Sequence, residues 1–441
     1  MKIDELVELR RKSEKFKYFV HGENYYVARN DYIRNRKKEV FLEGVGPITN
    51  PFQANYKSAS SIFKKIVDQK VSYLLGNGVN FIDEKLRDDI DNYFEYTFDD
   101  FIEEIGIEAS KKAEAWVYAF REDNKLKFTS IPSEQCTPIY DERNRLAGMI
   151  RQYIVGDKTV RLVFDKEKIT RYEKRSDEKE YKQIGVYGHY SDISYFNGEK
   201  VDEEYHSFGR VPFIPLLNNR EMISDLYRIK NDIDIYDCTK SDFANNVDDF
   251  QEAFITFKGY TGDMKHAEKL LRQIKQAKTI PISKDGAVDI KQLEIPTNAR
   301  ETLLDRLKKD IYQDAMAVDT SILSGGSITN VVIQAMFADL DLKADQFENE
   351  VVKFLYKLVE FINGVDSKQY DHTAKFDRSL IMNRTEEAET ILKMQGTTIS
   401  SQTTRELLPY EIDEEQEKER LKEEQGEITL NSDINLEDIE E

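Results

Sequence analysis

The side chains most often used for catalysis or metal binding are sparse in this sequence and lie far apart. The five histidines are His21, His189, His206, His266 and His372. None of them forms a His-Glu-x-x-His pair or has the spacing to a cysteine that zinc sites use, so no metal ligand is predicted. Cys136 and Cys238 lack a partner motif, which excludes a disulfide framework and indicates a reducing compartment.

Motifs for nucleotide binding and nucleophilic catalysis are missing as well. The sequence has no Gly-x-x-x-x-Gly-Lys-Ser/Thr, so a P-loop nucleotidase is not expected. Ser324 and Ser327 lie beside glycines, but no strand precedes them and their spacing is not that of a nucleophile elbow. Gly44-Val45-Gly46 has no helix start after it and is more typical of a bend. We predict no catalytic residue, no bound metal and no cofactor.

Charge is the most unusual property of the chain. Acidic residues number 84 against 64 basic ones, which gives a net charge of −20 over 441 residues. Proteins that grip DNA without sequence preference need a basic face for the phosphates, so this balance argues against such a grip. Residues 411–441 hold 14 acidic and 3 basic side chains, whereas residues 1–70 hold 15 basic and 9 acidic. We interpret the acidic end as a solvated or disordered tail.

The overall composition is that of a protein with large solvated faces. Apolar residues make up 39% and charged residues 34%, but 24 Tyr and 24 Phe can still build a core. The length predicts about two to four modules. No apolar run approaches the ~18 residues that span a bilayer, and the first residues lack the apolar region of a signal peptide.

Helical periodicity dominates the first hundred residues. We predict an amphipathic helix over the first 20 residues and another over Asn24–Lys38, followed by a break at Gly44–Pro47. Apolar spacing predicts a helix over Ile62–Leu74 that ends at Gly76-Asn77-Gly78, a helix-stop and turn signal. A further helix is predicted over Asp99–Ala115.

From Trp116 the apolar period changes from 3.6 to 2, which predicts strands. Polar turns such as Glu122-Asp123-Asn124 and Asp141-Glu142-Arg143-Asn144 separate them. We expect an antiparallel, β-rich module that ends near Pro212 and Pro215. Its predicted strands are Trp116–Arg121, Leu126–Ile131, Leu146–Val155, Thr159–Phe164 and Lys168–Tyr172.

A heptad-like seam then predicts a helix of about 45 Å. Its apolar residues, at spacings of four and three with a lysine at position 240, are Met222, Leu226, Ile229, Ile233, Tyr236, Phe243, Val247 and Phe250. Helical pattern returns after Pro296 with Leu303, Leu304, Leu307, Ile311 and Ala315. Taken alone, such seams fit an intramolecular core or a coiled coil.

A small module interrupts these two helices, which disfavours a simple coiled coil. It begins with a predicted strand, Ala253–Lys258, and a predicted helix, Lys265–Gln276. A hairpin is then expected to pair Lys278–Ser283 with Val288–Ile295 around Asp285-Gly286.

A second long seam follows the loop Leu323–Asn330 and stops at Asn363-Gly364. Its residues are Ile333, Phe337, Leu340, Ala344, Phe347, Val351, Phe354, Leu358 and Phe361. The Ser-Gly-Gly-Ser loop fits a flexible joint, or a mobile segment that contacts a polyanion without gripping it. Shorter helices are predicted over Thr385–Gln395, Ser401–Leu408 and Asp413–Gln425.

Four segments carry a family resemblance. They are a helix with a Tyr-x-x-Gly turn over Asn55–Phe81, a strand–turn–strand with a Tyr-Asp step over Ser130–Val155, a long helix and strand over Asp232–Gly259, and a pattern of Asn, Glu, Ser, Thr and Pro over Met382–Glu424. In this order they resemble the portal, or head–tail connector, proteins of long-tailed phages of Gram-positive bacteria. The likeness runs from about Tyr18 to Gln425.

The resemblance implies an α+β portal fold whose copies, usually twelve, close into a ring around a central tunnel. It would divide the chain into a wing over residues 1–220, stem helices over 221–251 and 299–317, a clip over 252–298, a tunnel loop and long wing helix over 318–380, crown helices over 381–426, and an acidic disordered tail over 427–441. Closing the ring would bury the apolar seams against neighbouring subunits, which a monomer could not do.

The resemblance also implies roles for residues. The stem seam would be Leu226, Ile229, Ile233, Tyr236, Phe243, Val247, Leu307 and Ile311. Clip residues facing partners would be Ile280, Ser283, Lys284, Asp285 and Gly286. The loop facing DNA would be Ser324, Gly325, Gly326, Ser327, Ile328, Thr329 and Asn330. An acidic tunnel lining would repel DNA and prevent sticking.

The implied function is a conduit without catalysis at one capsid vertex, for genome packaging, head–tail joining and DNA ejection. The expected partners are double-stranded DNA, a terminase packaging ATPase, a head-completion or tail adaptor protein, and capsid and scaffold proteins, with no membrane. We expect the protein in the virion, and in the host cytoplasm during assembly. Two alternatives remain: a helical scaffold or adaptor of the virion without a DNA channel, and an enzyme acting on nucleic acid.

Overall fold

The chain divides into two compact units. The computed structural model describes residues 3–37, 39–42, 46–49, 54–196, 199–250, 254–258, 287–291, 297–321, 329–379, 384–394, 398 and 420. The first unit comprises Met1–Ala317 and Lys343–Asp377, and the second comprises Val318–Leu342 and Arg378–Glu441.

Three helices and a hairpin open the first unit: α1 (Ile3–Lys12), α2 (Glu14–Tyr26), α3 (Asp31–Asn35), β1 (Glu39–Leu42) and β2 (Gly46–Thr49). The continuous helix predicted over Asn24–Lys38 is wrong. Ala28 takes a left-handed conformation with φ of +53°, and the N–H of Arg29 donates to the carbonyl of Asn24 at 2.7 Å. This bond spans six residues and closes the C-terminal turn of α2, so the chain changes direction before α3 begins.

The next elements include two helices, Ile62–Leu75 and Phe98–Lys112, that pack against each other. In chain order the elements are α4 (Ile62–Leu75), β3 (Asn80–Phe81), α5 (Glu84–Asp89), a 3₁₀ turn (Ile90–Tyr93) and α6 (Phe98–Lys112). The predicted stop of α4 is confirmed, since the helix ends at Leu75 and Gly78 turns the chain with φ of +76°. Thr97 caps α6 by accepting the N–H of Asp100 at 3.3 Å, so the helix begins close to the predicted residue.

The β-rich module forms three antiparallel sheets. Its strands are β4 (Glu114–Glu122), β5 (Lys125–Ile131), β6 (Cys136–Tyr140), β7 (Leu146–Val155), β8 (Lys158–Phe164), β9 (Ile169–Arg175), β10 (Lys182–Tyr187), β11 (Tyr190–Phe196), β12 (Glu199–His206) and β13 (Phe213–Leu217). The orders are β10-β9-β8-β7-β6, β13-β4-β5 and β11-β12. All five predicted strands are confirmed. The module ends near Pro212 and Pro215, as predicted, because its last strand is β13. Pro215 lies within this edge strand, which tolerates the missing N–H.

The predicted polar turns are confirmed by their conformations. Asp123 and Asn124 both have positive φ, 48° and 62°, which suits the two-residue hairpin between β4 and β5. In the turn before β7, the Asp141 carboxylate accepts the N–H groups of Arg143 and Arg145, each at 2.9 Å.

Two helices flank a two-stranded ribbon in the middle of the chain: α7 (Leu226–Phe250), β14 (Phe254–Lys258), β15 (Ala287–Lys291) and α8 (Thr297–Asp314). The predicted start of α7 at Met222 is wrong, because φ of that residue is +54°. Asn219 holds the loop there by accepting the N–H of Ile223 at 3.0 Å. β15 pairs with β14, while the partner predicted for it, Lys278–Ser283, lies outside the described residues.

The last described elements are α9 (Asn330–Asp366), β16 (Ala374–Lys375), which pairs with β3, and α10 (Arg384–Met394). All nine predicted seam positions of α9 are buried. The stop predicted at Asn363-Gly364 is wrong: the helix continues to Asp366, and Ser367 turns the chain with φ of +54°. The helices predicted over Ser401–Leu408 and Asp413–Gln425 lie outside the described residues, apart from position 420.

The first unit has two apolar cores. In the larger one, α4, α6, the first turns of α7 and the later part of α9 enclose side chains such as Ile66, Phe101, Ile229 and Phe354. The smaller core lies around Trp116 and Phe164 of the β-rich module. In the second unit, the buried side chains of α9 include Ile333, Phe337 and Leu340.

Candidate functional site

Helices α7 and α8 pack against each other in opposite directions. Arg300, near the start of α8, donates to the carbonyl of Asp242, near the end of α7, at 3.5 Å. At the other end of the pair, burial raises the pKa of Asp232, and the charges of Asp314 and Asp310 on α8 raise it further. The pair is therefore an antiparallel two-helix element with a small acidic cluster where α7 begins.

The predicted stem seam falls into two groups along this pair. Fully buried in the first unit's own core are Leu226, Ile229, Ile233 and Ile311. Half-buried or exposed are Tyr236, Phe243, Val247 and Leu307. The expectation that only neighbouring subunits could bury the seam is wrong for its first half, because helices of the same chain already cover it.

Four large apolar side chains of the α7–α8 pair are about half exposed in the single chain. They are Tyr227 (47%), Ile235 (49%) and Val247 (44%) on α7 and Leu303 (45%) on α8. Their exposed area is a surface that a neighbouring molecule could cover.

A row of polar side chains follows one face of α7 and binds an extended segment of the same chain. Ser60 donates its N–H to Asp237 at 2.9 Å, and Ser58 donates its N–H to Ser241 at 2.9 Å. Tyr56 donates its N–H to Asn245 at 2.6 Å, and Asn245 returns a bond to the Tyr56 carbonyl at 3.3 Å. We call residues 56–60 with these three α7 side chains the polar ladder.

Two side chains from outside α7, Tyr25 and Asn30, also donate to its polar face. The hydroxyl of Tyr25 donates to Asp234, and Asn30 donates to Asp237. Burial raises the pKa of Asp237, and the bonds from Asn30 and Ser60 only partly offset that effect. Sequence reasoning missed this face, although its polar residues recur at helical spacing beside the apolar seam.

A second polar cluster lies where α4, α9 and the loop before α7 meet. Lys70 donates to Asn218 at 2.5 Å and forms an ion pair with Asp225 at 2.8 Å. Lys343 lies 3.4 Å from the same Asp225 carboxylate. The side chains of Lys70 and Asp225 are only 1% and 7% exposed, so we call these residues the buried lysine cluster.

The charges of the buried lysine cluster do not balance, and the pKa values reflect this. Burial lowers the pKa of Lys70 to about 8, against the attraction of Asp225, and the second cation, Lys343, adds to the lowering. Burial acts to raise the pKa of Asp225, but Lys343 and Lys70 outweigh it and hold that pKa well below its ordinary value. A charged cluster of this kind holds the elements around it together, since removing one partner leaves a buried charge unpaired and destabilises the fold.

The residues predicted to face DNA or partners are mostly not described. Ser324, Gly325, Gly326, Ser327 and Ile328 lie outside the described residues, as do Ile280, Ser283, Lys284, Asp285 and Gly286. Thr329 accepts the N–H groups of Val332 and Ile333 through its carbonyl at the start of α9. Asn330 is the first residue of α9 and not part of a loop, which corrects the predicted limit.

In the part of the chain that the structure describes, no group of three or more His, Cys, Asp or Glu side chains is placed to hold a metal ion. The thiol of Cys136 is buried, and burial raises its pKa. Among the helices of the described ranges, none is long and apolar enough to cross a bilayer.

Comparison with protein families decides among the remaining functions. The family model described as "Phage portal protein, SPP1 Gp6-like" matches residues 8–429. The chain belongs to the phage portal protein family. Its function is therefore that of a portal protein at the head–tail junction of a phage, and the family is a structural one.

Two curated portal proteins illustrate the relationship. The portal protein of Bacillus phage SPP1 is 27% identical over 430 residues, which cover 91% of this chain and 82% of that protein. The portal protein of Clostridium phage phiCD119 is 27% identical over 408 residues, which cover 86% of each chain.

Chains of gene transfer agent (GTA) particles are among the solved structures to which this chain is similar. A chain from the virion of the native particle has a TM-score of 0.43 at 11% identity, over 79% of this chain and 88% of that chain. A chain titled as the neck of the native particle, computed with C12 symmetry, has a TM-score of 0.43 at 12% identity over the same shares.

Proposed function

We propose that copies of this portal protein close into a ring, of twelve subunits in the assembled particle, through which double-stranded DNA enters and leaves the capsid at one vertex. The observation that carries the proposal is the antiparallel α7–α8 pair with Tyr227, Ile235, Val247 and Leu303 half exposed. Large apolar side chains on both helices of a highly charged protein favour burial by a neighbour. In a ring, each subunit offers one face to the next copy and receives another on its opposite side.

The charge of the chain supports passage of DNA and not binding. Its net charge is −20, and the cluster of Asp232, Asp310 and Asp314 lies on the α7–α8 pair. Carboxylates along a channel repel phosphates, so DNA would slide without sequence-specific or lasting contacts. Residues 324–329 remain the proposed tunnel loop, and α9 begins directly after it at Asn330.

The partners proposed for this ring supply what the chain itself lacks. A terminase ATPase would drive packaging, because the sequence has no P-loop. A head-completion or tail adaptor would dock at the proposed clip, of which the β14–β15 ribbon is the described part. Capsid and scaffold proteins would surround the proposed wing, residues 1–220, and the crown would begin near α10.

The second candidate, a helical scaffold or adaptor without a channel, is less well supported. It predicts a protein made almost entirely of helix, whereas the described residues include a five-stranded and a three-stranded sheet.

The test is electron microscopy of the purified full chain under conditions that permit assembly. Ring particles with a central hole and countable symmetry are expected. The double variant Val247→Glu and Leu303→Glu should keep the circular dichroism spectrum but lose the rings, because two charges would have to be buried at the interface. Ile154→Glu, at a β7 residue that is 76% exposed, is the matched control and should assemble normally. Monomers or rods from the wild-type chain would overturn the proposal.

A further inference from the structure

The chain leaves the first unit and returns to it at two points that touch. It leaves after Ala317 and returns at Lys343, with residues 318–342 belonging to the second unit. Lys343 donates from Nζ to the carbonyl of Ala315 at 2.9 Å. Both residues of this contact belong to the first unit, so the bond closes the base of a 25-residue excursion, counted from Val318 to Leu342.

The contact also completes the end of helix α8. The N–H of Ala317 donates to the carbonyl of Tyr312 at 2.9 Å, and that of Met316 donates to Gln313 at 3.0 Å. This paired pattern, with φ of +53° at Met316, is a Schellman motif formed without glycine. The last carbonyls of a helix lack partners within it and carry partial negative charge, so the Lys343 ammonium at Ala315 is a favourable C-terminal partner.

Lys343 is held at that position by a buried carboxylate. Its Nζ lies 3.4 Å from Asp225, which also pairs with Lys70. Asp225 is fixed in turn, because Asn218 donates to it at 3.0 Å and its own N–H donates to the carbonyl of Ser110 at 3.1 Å. The contacts of Lys343 and Asp225 therefore connect α4, α6, the loop before α7, the end of α8 and α9.

We propose that Lys343 is a positioning residue that fixes where residues 318–342 leave and re-enter the first unit. Its bonds to Ala315 and Asp225 set the position of α9 relative to the end of α8. Residues 318–342 thus leave and re-enter the first unit at the contact between Lys343 and Ala315. The rest of the first unit is held together by its two apolar cores. Its role in the ring rests on the proposed function, since the same excursion contains the proposed tunnel loop.

The test is hydrogen exchange measured by mass spectrometry on the full chain, comparing Lys343→Met with the wild type. Amides of residues 311–317 and 343–347 should exchange about tenfold faster, because both sides of the contact lose their partner. Amides of β7 and β8, which do not touch the cluster, should be unchanged. Lys343→Arg keeps a cationic donor and should restore most of the protection.

A matched control and a second variant keep the test decisive. Lys12→Met removes a lysine whose side chain is 78% exposed and whose partner, Glu8, is 59% exposed, so it should leave 311–317 unchanged. If Lys343→Met does not fold, Lys343→Gln retains a donor without the charge, and intermediate protection is expected.

Unchanged exchange at 311–317 in the Lys343 variants, or uniformly faster exchange in every segment, would overturn the inference. Ring formation by each variant is scored separately. A wild-type chain that forms no rings but shows the expected local exchange would contradict the proposed function and leave the positioning role supported.

Discussion

Ser60 donates its backbone N–H to the buried carboxylate of Asp237 at 2.9 Å, and this bond is one rung of the polar ladder. Alternate residues of the extended segment, Tyr56, Ser58 and Ser60, meet α7 residues spaced four apart, Asn245, Ser241 and Asp237. Two extended residues span about 6.6 Å and four helical residues about 6 Å, so the two periods nearly match. This match lets a strand-like segment satisfy its amides on a helix.

Replacing the carboxylate at the ladder tests its contribution to stability. Asp237→Ala should lower the free energy of unfolding by about 2–4 kcal/mol, because the N–H of Ser60 and one N–H of the Asn30 amide would be buried without an acceptor. The other bond of Asn30, to the carbonyl of Ser60, would remain. Urea unfolding followed by fluorescence measures the change. Asp248→Ala, which removes only an exposed bond to the Tyr56 hydroxyl, should have no measurable effect. Equal stability of the two variants would contradict the ladder's role.

The buried lysine cluster predicts how stability changes with pH. The pKa of Lys70 is lowered from 10.5 to about 8 by burial. Between these values the unfolded chain binds more protons than the folded one, so this residue makes stability rise as pH rises above 8. Relative to Lys70→Met, the wild type should gain about 1 kcal/mol per pH unit from pH 8 to pH 10.

Thermal or urea unfolding of both proteins across that pH range provides the measurement. Comparison with Lys70→Met removes the general effect of alkaline pH on so acidic a chain. Lys12→Met, which breaks an ion pair exposed on both sides, should show no such pH-dependent difference from the wild type. A constant gap between wild type and Lys70→Met would mean that Lys70 releases no proton in this range.

Much of this fold could be predicted from periodicity, because burial imposes it directly. The nine apolar seam positions from Ile333 to Phe361 are all buried on α9. The five predicted strands lie in the segment whose alternating pattern begins at Trp116. The candidate site was harder to predict from the sequence. The polar ladder depends on bonds between residues more than 170 positions apart, such as Ser60 and Asp237, and no local pattern reports such a pairing.

Helix ends were the main source of error. Ala28, Met222, Met316 and Ser367 all take positive φ, although the usual sequence signal for that conformation is glycine or asparagine. Conversely, Gly364 lies inside α9, where it was expected to end the helix. Backbone hydrogen bonds accompany these turns, such as Arg29 to Asn24 and Ala317 to Tyr312. Any residue type other than proline can make such bonds, so the sequence alone does not reveal them.

A left-handed alanine offers a way to stabilise the protein. Ala28→Gly should raise the free energy of unfolding by about 1 kcal/mol, because glycine adopts the +53° φ of this position without a Cβ clash. Ala244→Gly, at an exposed position inside α7, is the same substitution and should instead cost about 0.5–1 kcal/mol. Chemical denaturation of both variants measures the difference, and a loss of stability in Ala28→Gly would mean that α2 does not end as described.

A glycine inside α2 marks the closest approach of two helices. A Cβ added at Gly22 would lie 2.1 Å from the carbonyl oxygen of Lys111 at the end of α6, and backbone cannot move aside. Alanine normally favours a helix over glycine by about 1 kcal/mol, but here the clash decides the sign. Gly22→Ala should therefore lower the free energy of unfolding by about 2 kcal/mol or more.

The same substitution at Gly364, also inside a helix, provides the control for Gly22→Ala. Its added Cβ would lie 3.2 Å from the Nη2 atom of Arg210, the far end of a flexible side chain that can move. Gly364→Ala should therefore be neutral or stabilising, by up to about 1 kcal/mol. Urea unfolding of both variants gives the comparison. If Gly22→Ala were as stable as Gly364→Ala, helices α2 and α6 could not be packed backbone to backbone. The ion pair between Lys111 of α6 and Glu23 of α2 would then have to rearrange as well.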